Sequence, residues 1–430
     1  MKSRKIIIVF FVFLSFRLYA LDSDWGGKVE NISQISNVEY EDFTQGNKAS
    51  LWYRGEQSPL LNFYIKGDYV YRYEKEDHKN IFDLTNAYFY GRTVLEEGKS
   101  LRYNAGRFRF NDSTGRVMKS LADGVEITLQ NRTLPVRFGA GYTGLVFGQT
   151  SDIVMTPADK LEKDDEYLLA PPRLIAFAEA KYSNLPGGNS LILAVIAQQD
   201  LRMDDNSYLE DSETGKLHTQ YFQMGADGRF LPDLYYSLTG VLQTGQYLIP
   251  AYDPAPSADY TSLGGLVTAT LDYYLESRYK TTISLDALYS SGDPWKNRGE
   301  FGVLSLPGDK QLNQYTPISN STKGFVYTPQ IGNLIFGDLS VSVKPIDKIQ
   351  VVLSGITFLR AIDGPISDDT MTEDSGNSLY LGQEVDFVVN YRPYSDLGLA
   401  LRSGVFFPNT DVQSNEDILY RIGAYVSVSF

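Results

Sequence analysis

The chain has no cysteine among its 430 residues. Disulfide bonds, thiolate metal sites, cysteine catalysis and a lipid-modified amino terminus are therefore excluded. Histidine is scarce as well: only His78 and His218 are present, and neither stands near a serine or carboxylate pattern that would define a catalytic group. These absences predict that the chain is not an enzyme and that it binds no cofactor and no metal.

The sequence also lacks a long apolar run. The run at the amino terminus, Ile6–Leu14, falls short of the roughly 20 residues that a membrane-crossing helix needs. Basic residues precede this run and Ala20 follows it as a cleavage site, which is the arrangement of a secretory signal peptide. We predict a signal peptide at residues 1–20 and a single domain at residues 21–430, since no linker or change in composition divides the remainder.

Positive charge is in deficit over the whole chain, with 39 Lys and Arg against 53 Asp and Glu and a net charge of -14. A chain this acidic is not expected to bind nucleic acid. Apolar residues are nevertheless abundant, at 43% of the composition with 13% aromatic. They are spread singly along the chain, which is typical of strands that have one apolar and one polar face.

The last thirteen residues alternate without a break. Every second side chain from Ile418 to Phe430 is apolar, whereas Arg421, Ser427 and Ser429 lie on the other face of the strand. One face therefore suits lipid and the other suits water. A terminal strand of this kind that ends on Phe resembles the assembly signal of bacterial outer-membrane β-barrels. The resemblance implies two partners, namely membrane lipids and the outer-membrane assembly machinery.

The same alternation recurs along the chain and predicts about 18 strands. They lie near residues 27–35, 48–56, 60–73, 81–93, 101–110, 122–131, 134–147, 171–184, 189–201, 217–231, 234–248, 260–277, 279–292, 331–345, 347–361, 378–393, 396–408 and 416–430. Short connections rich in turn-forming residues alternate with long polar ones, notably 148–170, 202–216, 293–330 and 362–377. The pattern predicts an all-β fold, a transmembrane antiparallel β-barrel in the bacterial outer membrane with both termini in the periplasm.

A soluble all-β protein, such as a propeller or a solenoid, would show similar alternation and turns. No repeat of propeller length with a constant motif is present in the sequence. The 31 tyrosines, many of them at strand ends, fit the aromatic girdles of a membrane barrel better.

The polar strand faces carry more cations than acids, whereas acidic residues are concentrated in the loops at 159–166, 204–213 and 363–374. This distribution predicts a basic lumen inside an acidic rim, which favours the passage of anions. The alternative is that the arginines only pair with luminal acids and brace the wall. The candidate lumen and solute-binding residues are Arg107, Arg109, Glu126, Arg137, Arg173, Arg229, Glu384, Asp386, Arg392, Arg402 and Arg421.

The faces of Arg107 and Arg109 depend on the register of the strand at 101–110. Arg107 and Arg109 share the face of Leu101 and Tyr103 by simple alternation, so they point inward only if a bulge near Gly106 resets the register. The Gly139–Gly144 segment matches a dinucleotide-binding spacing, but that motif needs a helix beginning within it. Because the segment lies inside an alternating strand, we interpret the match as a coincidence.

Several short motifs resemble the alginate-export family of outer-membrane proteins. Leu381-Gly-Gln-Glu384-Val-Asp386-Phe and the later Gly404-Val-Phe-Phe407-Pro408 are similar to the carboxy-terminal signature of that family, and the resemblance is best over about the last fifty residues. Gly106-Arg107 and Asp123-Gly124-Val125 are similar to its G-R and D-G-V elements. The resemblance implies an eighteen-stranded barrel with a basic lumen that passes polyuronate, and it implies that Arg107, Glu384 and Asp386 are lumen residues.

These features together predict an outer-membrane channel for small anionic or saccharide-like solutes. Export of an alginate-like polyuronate is the more specific form of this prediction. Two alternatives remain open. A structural or adhesive barrel would bind partners through its surface loops, and a lumen plugged by the 293–330 segment would favour it. A transporter of hydrophobic solutes is the other alternative, although the predicted lumen is highly charged.

Overall fold

The fold is a closed antiparallel β-barrel. The computed structural model describes residues 22–38, 42–74, 77–96, 98–155, 169–202, 216–249, 258–294, 311–364, 366, 378–411 and 417–430. Its strands are β1 (Asp22–Ser36), β2 (Asp42–Ser58), β3 (Leu61–Glu74), β4 (Asp77–Glu96), β5 (Lys99–Asn111), β6 (Lys119–Asn131), β7 (Val136–Tyr142), β8 (Arg173–Leu185), β9 (Asn189–Asp200), β10 (Lys216–Leu231), β11 (Leu234–Ile249), β12 (Ala258–Leu275), β13 (Thr281–Ser290), β14 (Gln311–Leu312), β15 (Leu334–Ile346), β16 (Ile349–Arg360), β17 (Tyr380–Tyr391), β18 (Leu397–Pro408) and β19 (Leu419–Ser429).

Eighteen of these strands form the wall, and all eighteen coincide with strands predicted from the alternation, so the predicted fold is confirmed. β14 is the exception, because it has two residues and pairs in parallel with β12, while β13 pairs directly with β15. Residues 1–20 and most of the acidic loops lie outside the described part, so the signal peptide and the acidic rim stay predictions. Among the described residues, no helix has the length and apolarity needed to cross a membrane.

The barrel is closed by the first and last strands of the chain. β1 pairs with β19 from Lys28 opposite Ser429 to Ser36 opposite Arg421. The Gly27 amide donates to the Phe430 carbonyl oxygen over 2.8 Å, and the Phe430 amide donates to the Gly27 carbonyl oxygen over 3.0 Å. A β-carbon at Gly27 would lie 2.4 Å from the Phe430 ring, so glycine makes room for the terminal aromatic side chain.

Side chains alternate across the wall. The outward face is apolar and exposed, as at Leu51 (60% exposed), Met224 (60%) and Phe82 (76%), which is the surface that lipid covers. The short turns, Asp22 and Phe430 lie at one end of the barrel, and the strand ends that the long connections join lie at the other end. By this asymmetry the short-turn end is periplasmic.

The buried core lies inside the barrel, where two segments depart from the wall. We call residues 106–124, comprising the outer halves of β5 and β6 and their connection, the inner hairpin. We call residues 311–333 the inner strap. Both contribute to one buried apolar cluster that also includes inward side chains of the wall, among them Phe108, Val117, Tyr221, Tyr315 and Phe358.

Candidate functional site

The inner hairpin bends away from the wall at a pair of glycines. Gly106 faces Gly124 across β5 and β6, and Gly106 has a φ of 127° that favours glycine. A β-carbon at Gly106 would lie 2.3 Å from the Ala87 carbonyl oxygen, and one at Gly124 would lie 2.0 Å from the Ala140 carbonyl oxygen. The two glycines therefore allow the hairpin backbone to approach its neighbours closely on both sides.

Arg107 follows the first of these glycines and pairs with Asp123, which precedes the second. Its guanidinium donates two hydrogen bonds to the Asp123 carboxylate, at 3.0 and 2.8 Å, and further ones to the carbonyl oxygens of Leu84 and Leu145. The G-R and D-G-V elements of the sequence thus meet directly across the hairpin. A bidentate pair with two additional backbone acceptors holds the bend in one geometry.

The register of β5 is continuous through Gly106, so no bulge changes the face of Arg107 and Arg109. Both arginines continue the face of Tyr103, opposite the buried Phe108 and Phe110. This face differs from the one that the sequence analysis assigned to them, because the hairpin departs from the wall by bending rather than by inserting a residue. Arg109 donates to the Asp152 carboxylate and is 44% exposed at its side chain.

Glu384 anchors the inner strap. Its carboxylate accepts three consecutive backbone amides, from Phe325 at 2.6 Å, Val326 at 3.0 Å and Tyr327 at 2.9 Å. The side chain is fully buried, and Gly324 enters this turn with a φ of 81°. Charge-assisted hydrogen bonds to a buried carboxylate are among the stronger polar contacts in a protein, so β17 fixes the position of the strap.

Asp386, Arg402 and Arg421 surround the same part of the strap. Arg402 donates to Asp386 over 2.9 Å and lies 4.0 Å above the Phe325 ring. Arg421 donates to the Phe325 carbonyl oxygen over 2.7 Å, with its guanidinium 5.6 Å from the same ring. Glu384, Arg402 and Arg421, three of the predicted lumen residues, therefore contact the inner strap, and Asp386 pairs with one of them.

Glu126 and Arg137 belong to a second polar group on the inward face. Arg137 donates to the Asn111 carbonyl oxygen over 2.6 Å and to Glu179 over 3.3 Å, and it lies 3.7 Å from Glu126. Its guanidinium also covers the Phe177 ring at 4.9 Å. Glu179 in turn accepts the Ser113 amide of the inner hairpin over 3.0 Å. This group therefore connects β6, β7 and β8 to the hairpin.

Arg173 is fully buried at the start of β8. It donates to the Val154 carbonyl oxygen over 2.8 Å, and its Nε lies 3.9 Å from Asp200. Asp200 also binds Arg202 over 2.6 Å. Arg173 therefore joins the wall to the segment between β7 and β8.

Arg229 and Arg392 lie near the periplasmic end and are exposed. Arg229 is on the same face of β10 as Tyr221, which donates to the Thr316 carbonyl oxygen of the inner strap. Arg392 lines a luminal cavity of about 730 Å³ together with Lys28, Lys344 and Lys348, while Glu30, Asp347 and Asp396 supply opposite charge there. Among the described residues, no group of three or more His, Asp or Glu side chains could hold a metal ion.

Asp286 on β13 binds one cation from each inner segment. Arg116 of the inner hairpin donates to its Oδ2 over 3.3 Å, and Lys323 of the inner strap donates to the same atom over 2.6 Å. Burial lowers the pKa of Lys323, as does the nearby Arg116, whereas Asp286 raises it. One carboxylate thus ties the hairpin, the strap and the far wall together.

Replacing Asp286 with asparagine is expected to destabilise this junction by roughly 1–3 kcal/mol, because a charged hydrogen bond to each inner segment is lost. The lumen gains one net positive charge, so the channel current is expected to become more chloride-selective. Urea midpoints and reversal potentials measure the two effects. Asp272→Asn is the matched control, since Asp272 accepts only the Ser284 hydroxyl in the described structure. Both variants remove one luminal negative charge, so equal losses in the urea midpoint, rather than equal reversal potentials, would contradict the junction.

The sequence analysis did not predict the inward aromatic residues of β2–β4 or the inward Arg92. Trp52, Tyr64, Tyr88 and Tyr90 lie on the inward face, and so does Arg92, which is exposed there. The signal was present as aromatic residues at polar-face positions. Tyrosines at strand ends are typical of aromatic girdles, but girdles belong to the outward face and these four side chains lie on the inward face.

Solved structures with a similar fold include proteins of Pseudomonas aeruginosa. OccK2 (OpdF) in complex with glucuronate is 12% identical with a TM-score of 0.56, over 96% of this chain and 99% of that chain. OccK5 (OpdH) is 11% identical with a TM-score of 0.54, over 96% and 99%. The outer membrane protein OpdK is 11% identical with a TM-score of 0.52, over 96% and 100%.

No family model matches the sequence, and no curated protein matches it. The structural similarity shows a shared outer-membrane, porin-like barrel fold, consistent with the predicted location in the bacterial outer membrane. The more specific resemblance to the alginate-export family stays a prediction from the sequence motifs.

Proposed function

We propose that the protein is a porin-like channel for small anionic or saccharide-like solutes. One observation carries the proposal. Arg92 on β4 and Arg102 on β5 lie directly opposite each other and are both exposed on the inward face near the periplasmic end. Like charges in directly opposed positions destabilise a sheet, and neither arginine has an ion-pair partner among the described residues. A passing anion would relieve this repulsion.

The neighbouring wall supports the same preference. Asp68 is 4% exposed at its side chain and is shared by Lys48 at 2.8 Å and Lys66 at 3.5 Å. One carboxylate therefore serves two cations, which leaves positive charge on the inward face of β2 and β3. A positive surface in a narrow aqueous path lowers the barrier to anions, because the low-dielectric wall focuses its field.

Passage of a polyuronate is the finer version of this proposal, and it rests on the sequence resemblance. The inner hairpin and the inner strap both occupy part of the lumen, so a polymer would pass beside them as a single extended chain. We therefore propose monomeric acids as the first solutes to test. The glucuronate bound to OccK2 belongs to the same chemical class.

A structural or adhesive barrel is the second candidate. The observation that favours it is the inner strap itself, since the described part of the 293–330 segment lies inside the barrel and contacts β17, β18 and β19. Conductance separates the two candidates, because a barrel plugged by this segment passes no ions.

The proposed function predicts a chloride-selective current across a planar bilayer that contains the refolded protein under a potassium chloride gradient. In the double variant Arg92→Gln/Arg102→Gln, the chloride-to-potassium permeability ratio is expected to fall about threefold, because each charge contributes a fraction of a kcal/mol in water-filled surroundings. Lys280→Gln is the control, since Lys280 binds Asp347 at an exposed turn. A folded barrel without conductance would refute the channel.

A further inference from the structure

A row of aromatic side chains crosses the inward face of four neighbouring strands. The rings of Trp52 and Tyr64 are stacked, with centroids 6.2 Å apart and planes 23° apart. Tyr64 then meets Tyr88 at 5.6 Å, and Tyr88 meets Phe108 at 5.7 Å. Tyr90 adds a fifth ring, 5.8 Å from Tyr88. We call these five residues the aromatic row.

The aromatic row extends along the barrel as well as across it. Tyr64 lies close to the periplasmic start of β3, whereas Phe108 lies in the outer half of β5, inside the inner hairpin. Tyr88 packs against the buried apolar cluster to which Phe108 belongs. The row therefore connects the periplasmic opening to the narrowed part of the lumen.

The rings of the row are accessible on its periplasmic side. Trp52, Tyr64, Tyr88 and Tyr90 are each only partly buried, in contrast to Phe108. Gly26, opposite Trp52, leaves space for the indole, because a β-carbon there would lie 2.7 Å from that ring. A purely structural aromatic cluster would bury its faces, so partial exposure toward the lumen points to contact with solutes.

Cations accompany the row at regular spacing. Lys66 lies directly opposite Trp52, and Arg54 lies directly opposite Tyr64. Arg92 follows Tyr90 by two residues, which puts both on the same face of β4. Three of the four lumen-facing rings on β2–β4, those of Trp52, Tyr64 and Tyr90, therefore have a cation beside them.

We infer that the aromatic row and the arginine pair Arg92/Arg102 form a binding track for pyranose acids. The apolar C–H face of a sugar ring packs on a tyrosine or tryptophan ring, while its carboxylate accepts hydrogen bonds from an arginine or lysine. An open-chain acid of equal charge lacks the flat apolar face. This inference rests on the proposed function and names the residues that would distinguish one small acid from another.

The first test compares three probes as blockers of the potassium chloride current. D-glucuronate has the ring and the charge, D-gluconate has the charge without the ring, and D-glucose has the ring without the charge. Glucuronate is expected to block at a concentration about threefold to tenfold lower than either of the others, in line with the energy of one aromatic contact. Equal block by glucuronate and gluconate would overturn the inference while leaving an anion channel intact.

Variants locate the effect on the row. Tyr64→Leu and Tyr88→Leu keep apolar volume but remove the flat ring, so each is expected to bring the glucuronate block close to the gluconate block. Phe82→Leu is the matched control, because Phe82 is 76% exposed on the outward face. If both tyrosine variants still bound glucuronate more tightly than gluconate by the wild-type factor, Tyr64 and Tyr88 would not belong to the binding track.

A binding measurement keeps the inference testable if no current is seen. Trp25, Trp52 and Trp295 are the three tryptophans of the chain, so a Trp25→Phe/Trp295→Phe background reports on Trp52 alone. Saturable quenching of its fluorescence by glucuronate, but not by gluconate, is expected in detergent. Quenching by glucuronate without conductance would reject the channel and retain the binding track. A current together with equal quenching by glucuronate and gluconate would retain the channel and reject the binding track.

Discussion

Replacing Glu384 with glutamine is expected to release the inner strap and to raise the single-channel conductance. The substitution removes the charge that holds three buried amides, and the new NH2 group cannot accept hydrogen bonds. The remaining oxygen can still accept the Phe325 and Val326 amides without the help of the charge, whereas the Tyr327 amide loses its acceptor, so the strap is expected to lose about 1–3 kcal/mol of local stability. Hydrogen exchange at Phe325, Val326 and Tyr327 measures this loss directly.

The control for this variant is Glu30→Gln. Glu30 is also an acid on the inward face, but its described side-chain partner is Lys28 at 2.5 Å, and both side chains are partly exposed. Exposed pairs of this kind contribute about 1 kcal/mol at most. In the Glu384→Gln variant, the strap amides could exchange their hydrogens as slowly as in the wild-type protein, and the single-channel current could be unchanged. That result would show that the carboxylate is not the anchor of the strap.

Gly106→Ala and Gly124→Ala are expected to prevent the inner hairpin from reaching its position. A β-carbon at either site would meet a backbone carbonyl oxygen at 2.3 Å or less, and backbone cannot move aside as a flexible side chain can. Gly106 carries the further cost of a φ of 127°. Each variant is expected to lose about 3 kcal/mol or more, which lowers the folded fraction in heat-modifiability electrophoresis and the urea midpoint.

Gly337→Ala and Gly355→Ala are the matched controls, because both are wall glycines with nothing within 4 Å of an added β-carbon. Neither is expected to lower the urea midpoint, since alanine reduces the conformational freedom of the unfolded chain. Similar losses in all four variants would show that strand glycines matter for barrel insertion in general and not for the hairpin bend.

The wall could be predicted from the sequence because lipid and water impose different side chains on the two faces of each strand. The inner segments could not. The strap residues that bind Glu384 lie 57 to 59 positions away in the chain, and no local pattern marks three amides that point at one carboxylate. Sequence alternation places Glu384 on the inward face, but it does not show whether that face meets solvent or protein.

The sequence of the inner hairpin does contain a pattern that indicates burial. Phe108 and Phe110 stand at positions that alternation assigns to the aqueous face, and two large apolar residues there indicate burial against another segment. The same alternation puts Arg107 and Arg109 on the opposite face, as the structure has them. A bulge at Gly106 is the only local feature that would turn these arginines inward, so the prediction of inward-facing arginines depends on it. The bend depends instead on contacts with Ala87 and Ala140, which are distant in the chain.

The reciprocal hydrogen bonds between Gly27 and Phe430 make closure of the barrel depend on β19. A chain that stops before β19 presents two unpaired strand edges, β1 and β18, and hydrocarbon offers no partner for their amides and carbonyls. Such a fragment has no stable state within the bilayer and stays exposed to periplasmic proteases. Pairing of β19 with β1 therefore determines whether the other strands can remain inserted.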